Sequence, residues 1–207
     1  MRRIAIVVAS KTGQTEKIAQ RMAAEVRGGG TEVDVFNLLY CFAPSVRDMK
    51  SYDAVLIGTP VHVRDFPQQL LDWTWDHFNE LDPIPTGLFT VCLEGAGRRP
   101  VARQMADKML RKFIQLADFH PRFVASFGGC LAYSNYTLLK RTIMRSFAAF
   151  AGCPTDTTKD HELTNWKEVS QFVRAFMKQD MSSACATKNR LSWTPEPLLP
   201  IGLQRIA

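Results

Sequence analysis

Apolar runs alternate with amphipathic stretches along most of this chain. Residues 3–9 form a run of buried-strand type around Ile4, Ile6 and Val8. Residues 14–27 follow with helical spacing, and Gly28, Gly29 and Gly30 end them. The same reading predicts strands over 31–37, 54–58, 88–93 and 123–131. It predicts helices over 67–78, 101–118, 138–151 and 166–178, with a weak segment over 45–50. Pro67 stands at the first turn of its helix, and Asn165 and Glu168 are spaced as a capping box. Strands alternating with helices predict an α/β fold with a parallel sheet covered on both faces. One domain is expected over 1–180. Beyond it Pro195, Pro197 and Pro200 break any periodicity, so 181–207 is expected to be a flexible or loosely docked tail.

The 207 residues suffice for one such domain with a sizeable core. Apolar content of 46% and charged content of 22% are ordinary for a soluble globular protein. No run approaches the roughly 18 apolar residues of a membrane span. Met1-Arg2-Arg3 imitates the start of a signal peptide, but the apolar run behind it is short and passes straight into a polar turn. Cys41, Cys92, Cys130, Cys153 and Cys185 are scattered in or beside apolar stretches, which points to buried free thiols in a reducing compartment. The four histidines show no metal spacing. A net charge of +6 directs attention to an anionic partner: a substrate, a membrane surface or a nucleic acid. No basic-aromatic motif supports nucleic acid. A solvated basic surface with no partner stays open beside these.

The sharpest local signal is Ser10-Lys11-Thr12-Gly13-Gln14-Thr15, between the first strand and the first helix. Backbone N–H groups at a helix start, together with the helix dipole, attract an anion. The hydroxyls at 10, 12 and 15 add donors, and Gly13 allows close backbone approach. A phosphate monoester fits such a pocket; a plain turn rich in Thr and Gly is the alternative. The Walker pattern is absent. Ser/Thr-x-Thr-Gly-x-Thr after the first strand resembles the phosphate loop of flavodoxins. That resemblance implies a three-layer flavodoxin-like sandwich, a five-stranded parallel sheet of order 2-1-3-4-5, and FMN as cofactor.

Ligands of doubly wound sheets bind beyond the carboxyl ends of the strands. Two further strand ends therefore belong to the expected site. One carries Thr59, Pro60, Val61 and His62, with Arg64 and Asp65 beyond. The other carries Glu94, Gly95, Ala96 and Gly97, followed by Arg98 and Arg99. In flavodoxins these loops clasp the isoalloxazine ring, and small residues at 95–97 would let backbone amides reach it. A plain glycine-containing loop is the competing reading. His62 is expected as a contact only. Arg64, Arg98, Arg99 and Arg103 would form a basic rim able to hold carboxylates, or would simply be solvated.

Further along, Ala151-Gly152-Cys153-Pro154-Thr155-Asp156-Thr157-Thr158-Lys159-Asp160 leads into Thr164-Asn165-Trp166. This resembles the Gly-Gly-x-Thr-Asp-Thr…Thr-Asp-Trp signature of the menaquinone-dependent protoporphyrinogen IX dehydrogenases. Gly128 to Tyr133 and Leu138 to Arg145 are also similar to segments of that family, and the likeness covers about residues 3–178. Asn165 replaces the family's Asp, and residues 61–66 lack its Arg-Tyr-Gly-His-like run. The resemblance implies an FMN-dependent enzyme of heme biosynthesis. It would take six electrons and six protons from protoporphyrinogen IX in pairs and pass the electrons to a membrane quinone, menaquinone or ubiquinone. The basic rim would meet the propionates. A cytoplasmic protein touching the inner membrane peripherally is implied, and a homo-oligomer is left open. Residues 138–151 could rest at a lipid interface or pack on the protein's own sheet. A flavodoxin-like electron carrier, an FMN-dependent quinone reductase with another substrate, and a flavin-less interaction protein are the rivals.

Overall fold

The computed structural model describes residues 2–40, 46–62, 65–183 and 204–205. In chain order the elements are β1 (Arg3–Val8), α1 (Gln14–Arg27), β2 (Glu32–Asn37), α2 (Val46–Met49) and β3 (Ala54–Pro60). Then come α3 (Gln68–Asp76), α4 (Phe78–Leu81), β4 (Thr86–Cys92), α5 (Pro100–Ala117), β5 (Phe123–Gly128) and β6 (Cys130–Leu131). The chain continues with α6 (Leu138–Ala151), β7 (His161–Glu162), α7 (Trp166–Ser183) and β8 (Gln204–Arg205). Five parallel strands run in the order β2-β1-β3-β4-β5, the order expected of the flavodoxin-like fold, and β8 adds an antiparallel edge on β5.

Side chains alternate across the sheet with period two, which sorts the core into two layers. Ile4, Ile6 and Val8 face α1 and α7, packing with Ile18, Met22, Phe172 and Phe176. Ala5 and Val7 face the other way, with Leu70, Trp73, Leu110 and Phe113 of α3 and α5. Central strands buried on both sides are why β1, β3 and β4 read as largely apolar runs without alternation.

Several elements differ from the sequence expectation; β3 runs on through Pro60 and β4 begins at Thr86. The helix expected over 67–78 stops at Asp76, because His77 leaves helical geometry and turns its ring onto Trp73, where Nδ1 lies 2.8 Å from the Trp73 carbonyl oxygen. The strand expected over 123–131 ends at Gly128. A Cβ there would stand 2.3 Å from the Leu163 carbonyl oxygen, so the returning chain crosses at the glycine and Cys130–Leu131 join a separate two-stranded ribbon with β7. The last helix runs on to Ser183, past the expected 178. Asn165 caps it by accepting from the Lys167 N–H at 3.2 Å. Of the Pro-containing tail, residues 181–183 belong to this helix and Gln204–Arg205 to β8; the rest lies outside the described residues. Cys92 is buried, whereas Cys130 and Cys153 are only half-buried; Cys41 and Cys185 fall outside the described residues.

Candidate functional site

The strand registers bring three turns to one edge of the sheet. Val8 lies opposite Gly58, Pro60 opposite Val91, and Cys92 opposite Gly128. The turns after β1, β3 and β4 therefore leave the sheet side by side, at its carboxyl end.

The turn after β1 is built around an unfilled need for partners. Gly13 adopts φ +88°, and no atom lies within 4 Å of where its Cβ would be. No side chain caps α1, whose first turn closes only through Lys17 N–H on the Gly13 carbonyl. Ser10 is 1% exposed, and its Oγ is buried with no hydrogen-bond partner. An orphaned buried hydroxyl is costly unless something else occupies it. Ser10 stands three residues before the uncapped N-cap Gly13 in sequence, and these residues fit a phosphate dianion. Thr15 is also buried, whereas Lys11 and Thr12 stand exposed at the rim.

Residues distant in sequence hold this turn in shape. Asn37, at the end of β2, accepts from the Ser10 N–H at 3.0 Å, donates to the Ser10 carbonyl at 2.9 Å, and donates to Glu16 at 2.8 Å. Gln14 Nε2 donates to Glu162 and Thr164, and Lys17 pairs with Glu162 at 2.9 Å. Thr164 in turn donates to the Gly128 carbonyl at 2.7 Å. Those bonds hold the Glu162 carboxyl below the usual glutamate range, through Lys17 first and Gln14 second. The side chain of Gln14, expected to face a ligand, is thus turned toward the segment leading into Thr164-Asn165-Trp166. Asn37, Glu162 and Lys17 carried no local sequence signal for this role.

Thr59 and Pro60, expected in the loop, are the buried last residues of β3, and Val61 N–H beyond them bonds to the Val91 carbonyl. His62 and Asp65 exchange backbone hydrogen bonds. Partial desolvation, then the charges of Lys140 and Lys11, hold the His62 imidazole below its ordinary pKa. Arg64 lies outside the described residues.

The turn after β4 is a short 3-10 segment, Glu94–Ala96. Its amides are already used: Gly95 N–H points at Cys92 Sγ, Ala96 N–H at the Leu93 carbonyl, Gly97 N–H at the Glu94 carbonyl. Its glycines answer to packing. A Cβ on Gly95 would stand 2.4 Å from the Phe127 carbonyl oxygen, and one on Gly97 2.3 Å from the Ala102 Cβ. The amides expected to reach a ligand thus have partners within the turn itself. Burial raises the Cys92 thiol to about 12, keeping it protonated.

Of the four rim arginines, Arg98, Arg99 and Arg103 lie among the described residues. Arg99 donates to the Phe150 carbonyl at 3.3 Å and covers Gly152, at the C-terminal end of α6. Arg98 is exposed beside Cys153, where its charge opposes the rise that burial imposes on that thiol. Arg103 is exposed on the first turn of α5.

Strand order and connections define a flavodoxin-like protein. Sequence comparison agrees: residues 5–158 match the Flavodoxin domain family, and the chain belongs to it. Escherichia coli K12 protoporphyrinogen IX dehydrogenase [quinone] is 27% identical over 170 residues, covering 82% of this chain and 91% of that protein. The protein of the same name from Leishmania major is 25% identical over 154 residues, 74% of this chain and 66% of that one. Among solved structures, the rubredoxin oxygen:oxidoreductase of Desulfovibrio gigas superposes with a TM-score of 0.54 at 13% identity. It covers 90% of this chain and 38% of its own, a likeness of fold alone.

Proposed function

We propose that this protein is an FMN-dependent dehydrogenase that oxidises protoporphyrinogen IX to protoporphyrin IX with a quinone acceptor, in heme biosynthesis. The observation that carries the reading is the turn at 10–15. A buried, unpartnered Ser10 hydroxyl and an uncapped α1 are braced by the segment that resembles the dehydrogenase signature. The relatives' names point the same way.

In this reading Ser10, Lys11, Thr12, Gly13, Gln14 and Thr15 hold the FMN phosphate, with Asn37 and Glu162 keeping the turn in register. Thr59, Pro60, Val61 and His62 form one wall beside the ring; Glu94, Gly95, Ala96 and Gly97 form the other through their surfaces rather than their amides. Bound FMN supplies two-electron acceptance from a carbon–hydrogen bond. The protein's share is orientation and electrostatics. Arg64, Arg98 and Arg103 offer cations to the propionates, with Arg99 anchoring the adjoining helix. His62, neutral near pH 7, adds a contact without a charge. A quinone dissolved in a bilayer brings with it peripheral contact at the cytoplasmic face of the inner membrane.

The test is anaerobic porphyrin fluorescence with purified protein, FMN, protoporphyrinogen IX and a soluble menaquinone analogue. Protoporphyrin formation that needs both FMN and the quinone is expected. Tight FMN binding without turnover would transfer the reading to an electron carrier or a quinone reductase with another substrate.

A further inference from the structure

Helix α6 leaves most of its large apolar side chains uncovered. Ala148 and Ala151 are buried and Met144 is half-buried, while Leu138 is 80% and Leu139 74% exposed. Ile143, Phe147 and Phe150 are 47–49% exposed. Leu139, Ile143, Phe147 and Phe150 fall within an arc of about 80° at 3.6 residues per turn, so they form one stripe. Val101, on the first turn of the neighbouring α5, is 51% exposed. Isolated apolar residues on a surface need no cause, but a contiguous stripe with two phenylalanines marks a contact.

Charge decides what covers it. Helix α6 carries Lys140, Arg141 and Arg145 and no Asp or Glu. Arg98, Arg99 and Arg103 lie on the adjoining turn and helix start. Among the described residues none of Lys140, Arg145, Arg98 or Arg103 is paired with a carboxylate. A second copy of this basic surface would repel the first, whereas an anionic surface would be drawn to it. The helix has 14 residues, about 21 Å at 1.5 Å each, too short to cross a bilayer and suited to lying in its plane. Thr137 caps its start, Arg99 binds its last turn, and Arg141 bonds the Tyr133 carbonyl, so the stripe is displayed on a fixed helix.

We infer that α6 docks this protein on an anionic phospholipid surface, with Leu139, Ile143, Phe147 and Phe150 in the acyl boundary and the surrounding cations among the headgroups. Because Arg99 ties the end of α6 to the turn after β4, docking sets the mouth of the cofactor site beside the bilayer. The purpose of the contact rests on the quinone reading above; the contact itself rests on the exposed stripe.

The test is sedimentation of the full chain with phosphatidylglycerol–phosphatidylcholine vesicles at equal molar ratio, against pure phosphatidylcholine. The wild type should sediment with the anionic vesicles only and be released by salt. The double variant Ile143→Glu/Phe147→Glu should bind at least about tenfold more weakly, from the loss of two buried side chains. Leu138→Glu/Leu139→Glu, at the most exposed positions, guards against misfolding and should behave alike. Both should keep the wild-type thermal midpoint and turnover with a soluble quinone analogue. Equal sedimentation of wild type and both variants, or none by the wild type, would overturn the inference. Self-association of the wild type that the variants abolish would overturn it in favour of a second copy. Normal vesicle binding by a protein that cannot oxidise porphyrinogen would uphold the lipid contact and sink the enzymatic reading alone.

Discussion

The turns after β1 and β4 each set a glycine beside the same end of the sheet, and the two glycines serve opposite purposes. At Gly13 the backbone is left-handed, and nothing occupies the space a side chain would fill. At Gly95 the space is taken by the Phe127 backbone. The first turn leaves donors unsatisfied: no side chain caps α1, and the Ser10 hydroxyl is stranded. The second satisfies its three amides internally. One turn is therefore open toward a ligand and the other is closed against its own fold. The difference teaches that a small residue near a cofactor site is informative only once its neighbours are known.

Substitution should separate the two turns. The largest effect is expected from Gly95→Ala, which drives a methyl group into rigid backbone and should cost about 3 kcal/mol, the upper part of the overpacking range. Denaturant unfolding of the FMN-free protein measures it; an unchanged midpoint would show that the turn after β4 has room after all. Gly13→Ala meets no atom but must hold a left-handed backbone, at about 1–2 kcal/mol. It should also weaken FMN, by displacing the amides around it. A Gly13 variant less stable than the Gly95 variant would invert the comparison. The smallest effect belongs to the brace. Glu162→Gln removes a partly exposed ion pair worth less than about 1 kcal/mol at neutral pH. Since the Glu162 pKa is depressed in the folded state, its stabilisation is present above the ordinary glutamate pKa and fades as pH falls through the folded value. Wild type and variant should thus converge in stability in acid, and a gap that widens there would contradict the ion pair.

Much of this architecture is legible in the amino-acid sequence. Apolar runs mark β1, β3 and β4 most plainly because those strands are buried on both faces, whereas edge strand β2 shows a mixed pattern. Residues 138–151 were bounded correctly, since Thr137 and Gly152 mark the ends chemically. Which face of that helix is covered could not be read, because periodicity reports an apolar stripe and not what lies opposite it. The ribbon at His161–Glu162 was missed: two polar residues carry no strand pattern, and only pairing with Cys130–Leu131 makes them one. The turn at 10–15 was conspicuous, but its supports were not. Asn37 looked like the end of a strand, and Glu162 lies 145 residues from the lysine it binds. Such partners meet only through the sheet order, which no local signal encodes. The packing around Gly95 and Gly97 is hidden for the same reason.

The central claim is that the turn after β1 is shaped for a phosphate it does not supply itself, and Ser10→Ala tests it most directly. Fluorescence titration of the FMN-free variant with FMN should show affinity reduced by about 1.5–3 kcal/mol, the worth of a hydrogen bond to a charged acceptor. Unfolding of the same FMN-free variant should show stability equal to or above wild type, because a buried group without a partner has been removed. Unchanged FMN affinity, or a variant destabilised without FMN, would mean that the Ser10 hydroxyl serves the fold and that the cradle lies elsewhere.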